Sequence, residues 1–168
     1  MGNDNIELDI LKKAILLEQQ GKALYEQVAQ STSSGGAGEV FSIMAKEEAK
    51  HIEYLSKHFA SVREKGAFLE TDDYGKPDES FADVVLEEEI IRQISASGFE
   101  AAAISAAIEM EKKAVSLYEK GAADTNDENA AGLYRTLADW ERTHLDFLVE
   151  MDRELTENIW NENSFWPF

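Results

Sequence analysis

The motif Glu-x-x-His occurs twice in the chain, as Glu48 with His51 and as Glu141 with His144. Residues three apart share one face of an α-helix, so each carboxylate and imidazole can reach a common metal ion. A further glutamate stands 30 positions before each pair, Glu18 and Glu111. One Glu-x-x-His alone carries little weight. In a chain this rich in glutamate, two such matches would arise by chance about 2 % of the time, and matched upstream glutamates are rarer still.

Charge limits what the set could hold. Glu18, Glu48, Glu111 and Glu141 bring four negative charges, which two divalent ions cancel when both imidazoles are neutral. Two trivalent ions leave an excess of positive charge that a bridging oxygen species would neutralise. The set therefore suits a pair of ions that moves between the divalent and trivalent states and handles dioxygen or peroxide. Mixed carboxylate and imidazole donors fit iron or manganese, and zinc less well.

The helical neighbours of these residues are small or apolar. Ala14 and Gly21 flank Glu18, Ala107 and Ala114 flank Glu111, and Met44 and Leu55 flank Glu48 and His51. A carboxylate on such a stripe is costly to bury alone. Tyr25 and Tyr118 lie two turns from Glu18 and Glu111 on the same face, where they either hydrogen-bond a ligand carboxylate or simply pack in the core. His58 has Leu55 three residues before it and reads as an ordinary exposed residue. Glu47 and Glu109 are expected outside the site, because their counterparts in the other half are Trp140 and Leu16.

The elements that must position this set are long helices. Apolar residues recur at helical spacing over about 5–31, 37–65, 99–123 and 126–157. Asp4 with Glu7, Ser97 with Glu100, and Thr125 with Glu128 have the spacing of N-terminal capping boxes, and Gly66 stops the second helix. Residues 66–98 contain the loop Asp72 to Pro77 and a predicted short helix near Asp83 to Ala96. The acidic run Glu87 to Glu89 reads as a solvated helix face. The tail 158–168 is aromatic, with Trp160, Phe165, Trp166 and Phe168, and suits a structural clamp or a subunit contact.

A shift of 93 positions aligns the two halves without a gap. Leu24-Tyr25-Glu26 meets Leu117-Tyr118-Glu119, and Glu18, Glu48 and His51 meet Glu111, Glu141 and His144. The expected fold is all-α: a four-helix bundle built from two repeated hairpins, 5–65 and 99–157. A long crossover between them returns the chain to its starting end.

Composition narrows the function classes. Only 2 of the 168 residues are proline and none is cysteine, which excludes thiolate zinc and iron–sulfur ligation within these residues. A net charge of -18 argues against a nucleic-acid partner. No apolar run is long enough to span a bilayer, and residues 1–5 are polar and acidic, unlike a signal peptide. A cytoplasmic protein is the default expectation.

In Glu18, Glu48-Ala49-Lys50-His51, Glu111 and Glu141-Arg142-Thr143-His144, the chain resembles the rubrerythrin branch of the ferritin-like superfamily. The likeness runs from the first helix to about residue 157. It implies a single ferritin-like domain with two irons, bridged by Glu48 and Glu141. Glu18 and Glu111 would be terminal carboxylates, and His51 and His144 would bind one iron each. Manganese or zinc could stand in place of iron.

The implied activity is reduction of hydrogen peroxide or dioxygen with electrons from a separate electron-transfer protein. The alternative is a non-enzymatic iron-binding or iron-storage protein, and a homodimer or larger homo-oligomer is expected. The sequence departs from the family pattern in two ways. It lacks the four cysteines of a rubredoxin-like domain, and Ala114 stands where many members carry an additional glutamate.

Overall fold

The computed structural model describes residues 2–33, 35–70 and 98–162. Helices α1 (Gly2–Ser31) and α2 (Gly35–Lys65) form one hairpin, and α3 (Phe99–Asp124) and α4 (Glu128–Glu162) form the other. Helix α1 packs along α2, α3 along α4, and α1 also lies against α3. The four-helix expectation holds. The short helix near Asp83 to Ala96, the run Glu87 to Glu89, Ser97 and the tail aromatics Phe165, Trp166 and Phe168 lie outside the described residues, whereas Trp160 is described and exposed.

The apolar core falls into two clusters. One gathers Tyr25 and Val28 from α1, Val40 and Phe41 from α2, Ile104 from α3 and Met151 from α4. The other gathers Leu11 from α1, Leu55 and Val62 from α2, Tyr118 from α3 and Leu133 and Leu137 from α4. Each fully buried leucine or phenylalanine contributes about 1.5–3 kcal/mol relative to exposure. Between the clusters lies a polar layer containing all six glutamate and histidine positions.

This grouping fixes the direction of every helix. The end of α1 meets the start of α2, and the start of α3 joins that same cluster. The chain therefore does not return to its starting end, contrary to the expectation from the sequence: α2 already ends there, and the connection crosses to the opposite end, where α2 begins.

Helix α2 ends as expected. Gly66 has φ 68° and its N–H donates to the Val62 carbonyl at 2.9 Å, a left-handed cap that glycine adopts without a Cβ clash. The three capping boxes do not form as expected. Helix α1 already runs through Asp4, and α3 is capped by Gly98 with no side-chain cap bond. Asp127, not Thr125, caps α4: its carboxylate accepts from the N–H groups of Asn129 at 2.8 Å and Ala130 at 3.0 Å.

Three of the residues expected to cap helices, Glu7, Glu100 and Thr125, tie the hairpins together instead. Thr32 donates to Glu100 at 2.7 Å, and Thr125 donates to Glu7 at 3.0 Å. These bonds exchange places under the 93-residue shift. A long-range partner outcompetes the local one because each carboxylate thereby joins two helices.

Candidate metal centre

Helix α1 supplies Glu18, α2 supplies Glu48 and His51, α3 supplies Glu111, and α4 supplies Glu141 and His144. None is more than 3 % exposed. His51 Nδ1 lies 3.0 Å from Glu18, 2.7 Å from Glu141 and 3.6 Å from Glu48. His144 Nδ1 repeats the arrangement, 3.1 Å from Glu48, 3.5 Å from Glu141 and 3.7 Å from Glu111.

Two ligand-like groups result, each with donor atoms within 4.8 Å of one another. Glu18, Glu48, His51 and Glu141 make one; Glu48, Glu111, Glu141 and His144 make the other. Glu48 and Glu141 belong to both.

The chemistry of the donors fits a cation. Glu48 Oε1 and Glu141 Oε1 are fully buried and accept no hydrogen bond. Distance would allow a bond to the nearby imidazoles, but direction does not. Oxygens and ring nitrogens converge on a shared space, as ligands of one ion do. A buried carboxylate oxygen without a donor is costly, and an ion would offset that cost.

Without metal, protons must balance the charge. Burial, then the Glu48 charge, pushes Glu18 up to about 8. Burial and Glu141 push Glu111 up to about 7. Burial and Glu18 also push Glu141 upward, but His51 and His144 outweigh them and hold it below its ordinary value. Burial opposes charge on both histidines, yet the surrounding carboxylates raise them well above 6.5. An ion binding here would displace these protons.

The tyrosines bond to ligand-position carboxylates, and they do so across the bundle. Tyr25 donates to Glu111, and Tyr118 donates to Glu18. Each half thus supplies the hydrogen bond for the other half's glutamate. The repeat placed both phenols near the layer, but which carboxylate each reaches is set by how α1 and α3 meet.

Beside the carboxylates is a cavity of about 10 Å³, close to the space of one water. Leu17, Glu18, Gly21 and Glu48 line it together with their mates at the 93-residue shift, so it straddles the pseudo-two-fold axis. A Cβ on Gly21 would lie 3.3 Å from the Glu48 carboxyl carbon. Glycine there lets the Glu48 carboxylate lie close against the backbone of α1. Ala114 also borders the cavity, at the position of the missing glutamate.

The Rubrerythrin family model matches residues 9–152, a span that contains all six positions. The chain belongs to the rubrerythrin family. No curated protein and no solved structure matches it. Membership accords with the buried cluster of carboxylates and imidazoles that could hold metal. Among the described residues of this rubrerythrin-family chain, no helix is long and apolar enough to cross a membrane.

Some residues sit differently from their sequence reading. His58 is not an exposed residue: it is 1 % exposed and packs its ring 5.8 Å from Phe68. The signal was available, because the 93-residue shift aligns His58 with buried Met151. Glu47 and Glu109 stand outside both ligand groups, bonded to Lys50 at 2.6 Å and Lys112 at 2.8 Å. Sequence reasoning passed over Trp140, whose ring stacks on His51 at 5.0 Å and 19°.

Proposed function

We propose that this chain is a non-haem diiron oxidoreductase that reduces hydrogen peroxide or dioxygen with electrons from a separate donor. One observation carries the reading: two four-residue groups share Glu48 and Glu141, the arrangement expected of two ions bridged by two carboxylates. Glu18 with His51 and Glu111 with His144 would complete one ion each.

Bound iron would supply the electrons and a site for both oxygens of the oxidant. The chain's own residues set the conditions for that chemistry. Tyr25 and Tyr118 hold Glu111 and Glu18 in place from the opposite hairpin. The apolar clusters on either side exclude bulk water. No cysteine in these residues could carry an iron–sulfur relay, so repeated turnover needs an external electron-transfer protein.

Anaerobic loading with ferrous iron followed by elemental analysis should find two ions per chain. Stopped-flow absorbance should then show a single fast oxidation by peroxide, with repeated turnover only when an iron–sulfur donor and its reductase are added. Loading without any oxidation would refute the oxidoreductase reading. Native mass then tests the storage alternative, which requires a closed shell.

A further inference from the structure

An aromatic chain leads from the ligand layer to the surface. The His51 ring stacks on Trp140 with centroids 5.0 Å apart, and Trp140 lies 5.2 Å from Tyr54 at a tilt of 52°. Trp140 is 7 % exposed, whereas Tyr54 is half-buried, with Lys57 Nζ 5.7 Å from its ring centre. The repeat does not provide a second such chain. At the position of Trp140 the first half has Glu47, whose carboxylate is held by Lys50, and at the position of Tyr54 the second half has Phe147.

Trp140 carries a second unusual feature. Its indole Nε1 is fully buried and donates no hydrogen bond. A buried donor left unpaired costs free energy, and such exceptions call for an explanation. Here the consequence is redox chemistry. An oxidised indole with no base at its N–H keeps its proton, so the vacancy is not trapped on Trp140 and passes on quickly. Tyr54, only half-buried, can pass its phenolic proton outward when oxidised and so becomes the end of the path.

We propose that Trp140 and Tyr54 form a one-electron path between the metal site and the surface, supplying an electron when the metal pair is one short. The inference rests on the peroxide reading above. Reduction of one peroxide to two waters takes two electrons and two protons. A centre left with a single ferrous ion would have only one electron to give. Trp140 supplies the second and is refilled by Tyr54, whose phenolic proton leaves to water. A one-electron reductant in solution, with one proton, restores Tyr54. The path thus prevents a partly reduced centre from oxidising its own ligands.

The path can be tested without peroxide. A flash-excited ruthenium tris-bipyridine with a cobalt(III) ammine acceptor removes one electron from exposed tyrosines, and Tyr54→Phe identifies the part of the tyrosyl signal that comes from Tyr54. Loading the full chain with ferrous iron should shorten the lifetime of that Tyr54 radical severalfold, because iron returns an electron through Trp140. Trp140→Phe keeps a stacked ring that is hard to oxidise; it should bind the same iron and lose the shortening. Trp140→Tyr, which is oxidisable, should keep much of it. Equal lifetimes in wild type and Trp140→Phe, or identical behaviour of the Phe and Tyr variants, would overturn the path. Neither result depends on whether peroxide oxidises the centre, which the stopped-flow experiment decides separately.

Discussion

Tyr25 on α1 donates its phenolic hydrogen to Glu111 on α3, so a residue of the first hairpin fixes a carboxylate of the second. Tyr118 returns the same bond to Glu18. Removing either hydroxyl leaves a buried carboxylate oxygen without its donor. Tyr25→Phe and Tyr118→Phe should each lower the stability of the metal-free protein by about 1–3 kcal/mol. Chemical denaturation measures this. The two losses should be similar, since the bonds are related by the repeat; a loss in only one variant would contradict the reciprocal arrangement.

Metal and protons should compete at the layer. Glu18 titrates at about 8 and Glu111 at about 7, both above their ordinary 4.5, because burial and the neighbouring carboxylates disfavour charge. Stability from these raised carboxyls is complete below the unfolded value and is lost as pH rises through about 7 to 8. Ions act in the opposite sense, because they bind the deprotonated ligands. The metal-induced rise in Tm should therefore grow between about pH 6 and pH 8, with on the order of three to four protons released per chain on loading near neutral pH. An indicator dye in weak buffer reads the release, and loading without it would contradict the protonated layer.

Gly21→Ala should separate helix stability from metal affinity. Alanine in a helix interior favours the fold by up to about 1 kcal/mol over glycine. The new Cβ, however, would lie 3.3 Å from the Glu48 carboxyl carbon, so the carboxylate must shift by a few tenths of an ångström. Metal-free Tm should hold or rise while metal affinity falls severalfold. Titration of both proteins with ferrous iron tests this; unchanged affinity would mean that Glu48 has room to spare.

Glu48→Ala should cost more than loss of a terminal ligand. Glu48 belongs to both four-residue groups, whereas Glu18 belongs to one. The variant should lose most of the metal-induced Tm increment, and Glu18→Ala should retain more of it. Thermal scans with and without iron compare them, and equal residual shifts would argue against a bridging role.

His58 gives an acid-side prediction of opposite sign to Glu18. Burial lowers it to about 4 from 6.5. The unfolded chain therefore takes up the proton first, and the stability tied to neutral His58 is present above pH 6.5 and lost as pH falls toward 4. Allowing for solvent near the ring, about 1 kcal/mol should be lost from this group by about pH 5. His58→Phe should reduce the fall in metal-free stability between neutral and mildly acidic pH; an unchanged slope would show that another group controls it.

The meeting of these six residues in one buried cluster was legible because duplication wrote them twice with equal spacing, and helical geometry converts spacing into a shared face. The four helices were legible from apolar periodicity. Helix ends were less so. Glu7 and Glu100 had the spacing of local caps, but Thr125 and Thr32 reach them from the turn of the opposite hairpin, and no local pattern encodes that competition. Trp140 was hidden for the opposite reason: it is where the halves differ, so a search for likeness passed over it. His58 was misread because it was judged by Leu55 alone and not by Met151, its mate in the other half.

The division of the core into two clusters bears on the order of assembly. Each cluster draws side chains from all four helices. Collapse of either one therefore sets the register of both hairpins before any ion is needed, and the ligands are brought together by apolar packing. The ion can be inserted into a finished bundle. Were ions to bind there, the metal carried would be decided by supply and exchange in the surroundings, and the polypeptide could be emptied and refilled without having to fold again.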